Sequence, residues 1–409
     1  MVKTVKDYRV GINKIFSRYT RYGFVEYRDC NGLECDMVDL VLEATEELGG
    51  RGEYKELFEI ACKGFLKWGN TDKDDDGQTQ YFASIIEDTW DVVYKANDPK
   101  MPHKKMYEWF VGHIDGSVID YMEDYLYDYL LEHFKEPELL QKKIDFYNAK
   151  IEEGEAKKDD SYRDFQAERC GLYVLRTMAD MKRPIEDIRQ YSKGVKMYSL
   201  KETMAQIERD YGNMDEVIAI YKELAAEEDK RGWARDDWHR KLMDIYKELG
   251  NKEEYHKELL ASMALNVGDE DLWKAYKAQF FEKDWPKACQ DIFSGIKVGN
   301  YRIYPWYAAE ERYDLMMEGL EACFYSDRLK QYEKKLKALY PERCLKLLVV
   351  DTNLMAEQSN KRADYRRVAK NLNWICRYPG GAEKAAQMAD NYRIIYKQRR
   401  AMMEEIADF

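Results

Sequence analysis

Apolar residues recur along this chain every three or four positions. Val217, Ile220, Tyr221 and Leu224 fall at i, i+3, i+4 and i+7, and Leu242, Ile245, Tyr246 and Leu249 repeat that spacing. Tyr54, Leu57, Phe58, Ala61 and Phe65 do much the same earlier. Such positions line one face of a helix, with the polar residues between them turned to water. No long alternating pattern competes. The run Leu347-Leu348-Val349-Val350 has charged flanks and is followed by Leu354 and Met355, which predicts helix there rather than strand. The expected fold class is all-α.

The joints between helices repeat as well. Asp210-Tyr-Gly-Asn-Met-Asp-Glu-Val217 and Glu248-Leu-Gly-Asn-Lys-Glu-Glu-Tyr255 are the same device, 38 residues apart. Gly212 and Gly250 suit the left-handed residue that ends a helix, and Asn213 and Asn251 supply N-cap oxygens. Glu216 and Glu254 then stand where a capping box places its carboxylate. Leu48-Gly-Gly-Arg-Gly-Glu-Tyr54 is a weaker echo. The period lies near the roughly 34 residues of tetratricopeptide repeats and the roughly 40 of other helical pairs. This predicts stacked antiparallel helical hairpins, a degenerate TPR-like α-solenoid. The hydrophilic stretch at 151–161 and the Gly299-to-Pro305 stretch suggest three parts. They are an N-terminal helical domain at residues 1–150, TPR-like repeats at 151–298, and C-terminal hairpins with a basic surface at 299–409.

Composition fits many amphipathic helices. Of 409 residues, 45% are hydrophobic and 35% charged, against roughly 25% charged in an average domain, and only 8 are proline. The net charge of −12 is uneven: from Asp327 to Phe409, 18 Lys and Arg face 11 Asp and Glu. An acidic body argues against general nucleic-acid binding, whose affinity comes chiefly from neutralised phosphates. Within the basic segment, Arg362, Arg366, Arg367, Lys397, Arg399 and Arg400 are candidate phosphate contacts, with a solvated helix face as the competing reading. The 8 cysteines are scattered, and only Cys30 and Cys35 lie close, which points to reduced thiols. No apolar run is long enough for a signal peptide or a membrane span, so a cytoplasmic protein away from the membrane is expected.

The 33 tyrosines suit packing between helices, ring inward and hydroxyl at the rim. Tyr121, Tyr125, Tyr127 and Tyr129 are dense enough to line a groove in part. Trp233, Arg235 and Trp238 form a second set of candidate anchors for a partner.

Catalytic signatures are missing. The chain has no phosphate-binding GxxxxGK[ST], GxSxG, HExxH or Gly-rich dinucleotide turn, and only five histidines. His113 and Asp115 make no site by themselves, and Arg235 and His239 lack the spacing of the helical ribonucleases. No enzyme and no cofactor are expected. One loop resembles a calcium site: Asp72, Asp74, Asp76 and Gly77 match positions 1, 3, 5 and 6 of an EF-hand. The twelfth position is Ala83 where a bidentate Glu belongs. The loop is therefore expected to be an acidic turn favouring the positive N-terminal end of the next helix, with no metal.

The Tyr/Arg-rich opening Phe16-Ser-Arg-Tyr-Thr-Arg-Tyr-Gly-Phe-Val-Glu-Tyr-Arg28, followed by the turn Asp74-Asp-Asp-Gly77, resembles the helical region after the zinc finger of bacterial SWIM zinc-finger proteins. Tyr340-Pro-Glu342, Asn360-Lys-Arg-Ala-Asp-Tyr-Arg-Arg-Val-Ala369 and Arg399-Arg-Ala-Met-Met-Glu-Glu405 look like that family's final hairpins. The CxCx(n)CxH finger is absent, since Cys30 and Cys35 have neither its spacing nor a following Cys-x-His. The resemblance implies a helical platform and nothing of the finger's binding. The expected function is a non-enzymatic helical-repeat scaffold for protein–protein interaction, an accessory subunit of a bacterial complex. The alternative is a nucleic-acid-associated or defence-system accessory protein using the basic C-terminal region.

Overall fold

The computed structural model describes residues 3–114, 116–156, 161–195, 197, 199–231 and 236–409. The fold is all-α. Among these residues lie 22 α-helices, one 3-10 helix and two strands of two residues each. They form two compact units, Met1–Ile220 and Tyr221–Phe409.

The first unit contains α1 (Val5–Tyr19), β1 (Phe24–Val25), α2 (Tyr27–Gly50), α3 (Tyr54–Gly69), β2 (Asp72–Lys73), α4 (Gln78–Ala96), α5 (His103–His113) and α6 (Asp120–Glu132). It continues through α7 (Pro137–Ala156), α8 (Ser161–Asp180), α9 (Ile185–Ser192) and α10 (Leu200–Asp210) to the start of α11 (Met214–Arg231). Helix α2 packs on α1, α3 and α4, because Cys30, Leu33, Met37, Val41, Ala44 and Leu48 form a fully buried stripe at helical spacing. Trp68 stacks on Phe82 at 4.5 Å, and its Nε1 donates to Thr79 Oγ1 at 2.8 Å. Trp90 packs against Phe65, Phe110 and Tyr129 at 4.8–5.2 Å.

Helices α7 and α8 pair along their length. Lys135 meets Asp180, and Arg183 donates to Gln141 at 3.2 Å, so the start of one lies beside the end of the other. That is an antiparallel hairpin. Lys143 on α7 is fully buried, yet it is satisfied: its Nζ donates to the carbonyls of Leu131 and His133 and closes the end of α6. Burial pushes the Lys143 pKa down to about 7.

The second unit follows with α12 (Asp237–Glu248), α13 (Lys252–Leu265), α14 (Glu270–Lys277), α15 (Trp285–Gly295), a 3-10 turn at Tyr301–Ile303, α16 (Tyr304–Ala309) and α17 (Tyr313–Ala322). Five more helices complete it: α18 (Ser326–Leu339), α19 (Pro341–Gln358), α20 (Arg362–Ile375), α21 (Gly381–Ile395) and α22 (Arg400–Glu405). Trp273 stacks on Trp306 at 4.9 Å and on Phe293 at 5.3 Å. Glu310 gathers the indole N–H groups of Trp273 and Trp285 at 3.0 and 2.8 Å, with Lys277 balancing its charge at 2.8 Å. The run 347–350 lies inside α19, as its flanks predict.

The two repeated joints end their helices alike, but the expected side-chain cap forms only at the second, because Asn213 Nδ2 donates to Glu208 Oε2 at 2.7 Å instead. Gly212 and Gly250 have φ of 79° and 68°. Asn213 N donates to Glu208 O and Asn251 N to Tyr246 O, both at 2.9 Å, the long bond of a Schellman ending. Asn251 Oδ1 also accepts from Glu254 N at 3.2 Å. The reciprocal half of the capping box is replaced, however. Glu254 pairs instead with Lys222 at 2.9 Å and Lys257 at 2.7 Å, which offer it full charges rather than one backbone N–H.

Candidate binding groove

A concave surface lies in the second unit, where α19 packs against both α18 and α20. Leu329 and Leu336 seat α18, and Val368, Leu372 and Ile375 seat α20, all fully buried. Each helix therefore turns a polar stripe outward beside the other. On α20 the stripe is Arg367, Lys370 and Asn371, at i, i+3 and i+4; the buried Trp374 stands one turn further on, and Arg377 follows just past the helix end. On α18 it is Asp327, Lys330 and Glu333. The groove between them encloses about 740 Å³, within the range of roughly 300–1,000 Å³ usual for ligand sites.

Trp374 forms part of the wall. It is 6% exposed, and its Nε1 donates to Glu333 Oε1 at 2.6 Å. Lys330 Nζ lies 5.1 Å from the indole centre and 3.2 Å from Asp327 Oδ1. Arg367 approaches Asp364 at 3.6 Å. Asp351, on α19, feels both cations; burial raises its pKa, and Lys330 and Arg367 oppose that rise. Lys370 and Arg377 make no ion pair among the described residues. Asn371 Nδ2 reaches only Met355 Sδ, at 4.0 Å.

Chemically, the groove offers two uncommitted cations, an amide with donor and acceptor, and an aromatic wall. Counting Asp351, four cations stand near three carboxylates. That near-balance suits an extended polypeptide better than a polyanion, whose affinity grows with every phosphate neutralised.

Of the arginines singled out in sequence, only Arg367 lines this groove. Arg362 pairs with Glu404 and Glu405 at 3.0 and 2.8 Å, and Arg366 with Glu405 at 3.3 Å, tying α20 to α22. Arg399 donates to the carbonyls of Ala356 and Glu357 at 2.7 and 3.2 Å and so closes the end of α19. Arg400 is exposed on α22.

The tyrosine segment divides by depth. Tyr129 is buried between Phe110 at 4.7 Å and His133 at 3.8 Å, and belongs to the core. Tyr125 is half-buried, and Tyr121 is 49% exposed. Trp233 and Arg235 lie outside the described residues, while Trp238 is half-buried with Lys241 Nζ 4.3 Å from its ring centre. His239 is buried, and its Nδ1 lies 2.7 Å from Glu258 Oε2; that hydrogen bond raises its pKa.

Asp72, Asp74 and Asp76 are exposed on a loop whose strand β2 runs parallel to β1. Among the described residues, no three His, Cys, Asp or Glu side chains are grouped to hold a metal. Asp75, which the EF-hand comparison passes over, accepts from Thr79 N at 3.1 Å in the first turn of α4. Asp76 accepts from the Tyr27 hydroxyl at 3.2 Å. The strand pair thus joins the Tyr/Arg opening to the acidic turn.

Sequence reading missed Lys330, Lys370, Asn371, Trp374 and Arg377. The signal was present as a polar stripe at helical spacing, but it differs little from any solvated helix face until α18 lies opposite. No helix of the described residues is long and apolar enough to cross a membrane. No family model, curated protein or solved structure matches the chain, so the groove's own chemistry carries the functional argument.

Proposed function

We propose that this chain is a non-enzymatic helical-repeat scaffold that holds an extended segment of a protein partner in the groove between α18 and α20. The observation that carries the reading is the juxtaposition of Lys370 and Arg377, both without ion pairs, with Asn371 and Trp374 in one groove of about 740 Å³. Asn371 suits a peptide backbone, and the cations select acidic side chains. The matched Gly-Asn joints at 212 and 250 support the further reading of the helices as a degenerate TPR-like α-solenoid. The resemblance to the helical region of SWIM zinc-finger proteins supports a platform role, as an accessory subunit of a cytoplasmic bacterial complex.

Selection of a displayed random-peptide library on the purified chain tests this reading. Enriched peptides should carry acidic residues, and the K370E/R377E variant should bind them about tenfold more weakly or worse at unchanged melting temperature. Absence of enrichment over an unrelated helical protein, or binders indifferent to the charge reversal, would reject it. Single-stranded DNA in a salt series serves as the competing arm, because phosphate binding weakens steeply with salt.

A further inference from the structure

Helix α19 is buried along one side. Cys344, Leu348, Thr352 and Ala356 follow one another at four-residue steps, and each is fully buried. An amphipathic helix seated in this way should turn a polar face to water. The middle of its outer face is apolar instead. Val350 and Leu354 are 51% and 50% exposed, and the half-buried Leu347 stands one turn before Val350. At about 100° per residue the three fall within about 60° of one another, on the side away from the buried stripe.

The two ends of this outer face carry opposite charges. Lys346 stands at one end and Glu357 at the other, both exposed, and neither makes an ion pair among the described residues. Lys346 lies near Glu321, which Arg343 already holds at 2.6 Å. Glu357 is in the last turn of the helix, where the macrodipole disfavours a carboxylate, so the helix itself gains nothing from that charge. Lys346 and Glu357 are about 16 Å apart along the axis, with the apolar residues between them.

A face of this kind is complementary to its own antiparallel copy. Turning a second α19 through half a circle about the midpoint sets Lys346 of each beside Glu357 of the other. The same turn brings Val350 of each against Leu354 of the other. This is an isologous contact, in which one patch meets itself about a twofold axis. A parallel copy would set like charges together, and a purely acidic or basic partner would satisfy one end and be repelled by the other.

We propose that the outer face of α19 is the contact through which two copies of this chain pair, helix against antiparallel helix. A single helix pair buries less than the roughly 800 Å² per partner of a standard interface, so the pairing is reversible and concentration-dependent. It involves neither Lys370 nor Arg377, and the peptide groove takes only Met355 from α19, so either reading can fail alone.

Sedimentation equilibrium of the full chain from about 5 to about 500 µM tests the proposal, at low salt so that the charges are little screened. The natural chain should pass from monomer towards dimer across this range. Leu354→Glu places a charge at the centre of the contact and should weaken pairing at least tenfold. Lys346→Glu sets carboxylates against carboxylates at both ends and should weaken it about fivefold. The double exchange K346E/E357K restores opposite charges at both ends and should return affinity to within about twofold of the natural chain. All three positions are exposed in the single chain, and circular dichroism of each variant should show the fold retained. Three outcomes overturn the proposal: a chain that stays monomeric throughout, a dimer indifferent to Leu354→Glu, or a double exchange no tighter than Lys346→Glu. The second would place self-association on another surface, and the third would exclude the antiparallel register.

Discussion

The acidic loop at 72–77 and the groove between α18 and α20 are both dense in charge, yet their charges are differently employed. In the loop, Asp75 accepts from the first turn of α4 and Asp76 holds the Tyr27 hydroxyl, so two carboxylates serve the fold. In the groove, Glu333 holds the Trp374 indole, while the Lys370 and Arg377 side chains make no ion pair among the described residues. Charge density alone marks neither surface as a binding site. What separates them is whether the charges already have partners, and only the groove keeps cations in reserve beside an aromatic wall.

Substitutions can break or sharpen that contrast. The largest effect should come from the core beneath the loop. Trp68→Ala removes a fully buried ring and its bond to Thr79, and should cost about 4 kcal/mol in urea unfolding of the N-terminal unit. A cost below about 1 kcal/mol would mean that the loop is not anchored as described.

A pH effect comes next. Burial, with Asp128 and Glu132 nearby, raises the Glu87 pKa to about 7 from the usual 4.5. The folded state then holds a proton that the unfolded state has released, so stability falls as pH rises from 4.5 to 7 and is level above. Because the side chain is partly open to solvent, the penalty at pH 8 should be nearer 1–2 kcal/mol than the full linkage value. Glu87→Gln should recover about that much at pH 8 and flatten the profile across this window. An equally sloped profile in the variant would assign the dependence to other groups.

Smaller again is the loss at Asp75. Asp75→Ala, which frees the Thr79 N–H in the first turn of α4, should cost about 1 kcal/mol, whereas Asp74→Ala, which removes an exposed carboxylate, should stay within about 0.5 kcal/mol. Equal losses would erase the distinction between employed and idle charges. Smallest of all, K370E/R377E should leave thermal stability within about 0.5 kcal/mol, because neither side chain has an ion pair to lose.

The fold class was legible because helix periodicity is local: the stripes at 217–224 and 242–249, and the Gly-Asn joints, each occupy a few consecutive residues. The Schellman bonds at Gly212 and Gly250 follow from glycine chemistry alone. The capping carboxylate was less legible, since Glu254 meets Lys222 from another helix, and sequence spacing does not register that neighbour. The groove was legible only at Arg367. Arg362, Arg366 and Arg399 share its sequence neighbourhood, but Glu405 and the carbonyls at the end of α19 claim them. Periodicity shows which residues share a face, and it leaves open which face meets which. Tyr129 teaches the same lesson from the other side, because its stack with Phe110 and His133 depends on α5 and α6 coming together.

Amide hydrogen exchange of the chain, with and without a selected acidic peptide at saturation, tests the central claim most directly. The account predicts added protection confined to α18 and to residues 362–377, lost in K370E/R377E. Protection centred elsewhere in the chain, with these helices unchanged, would contradict it.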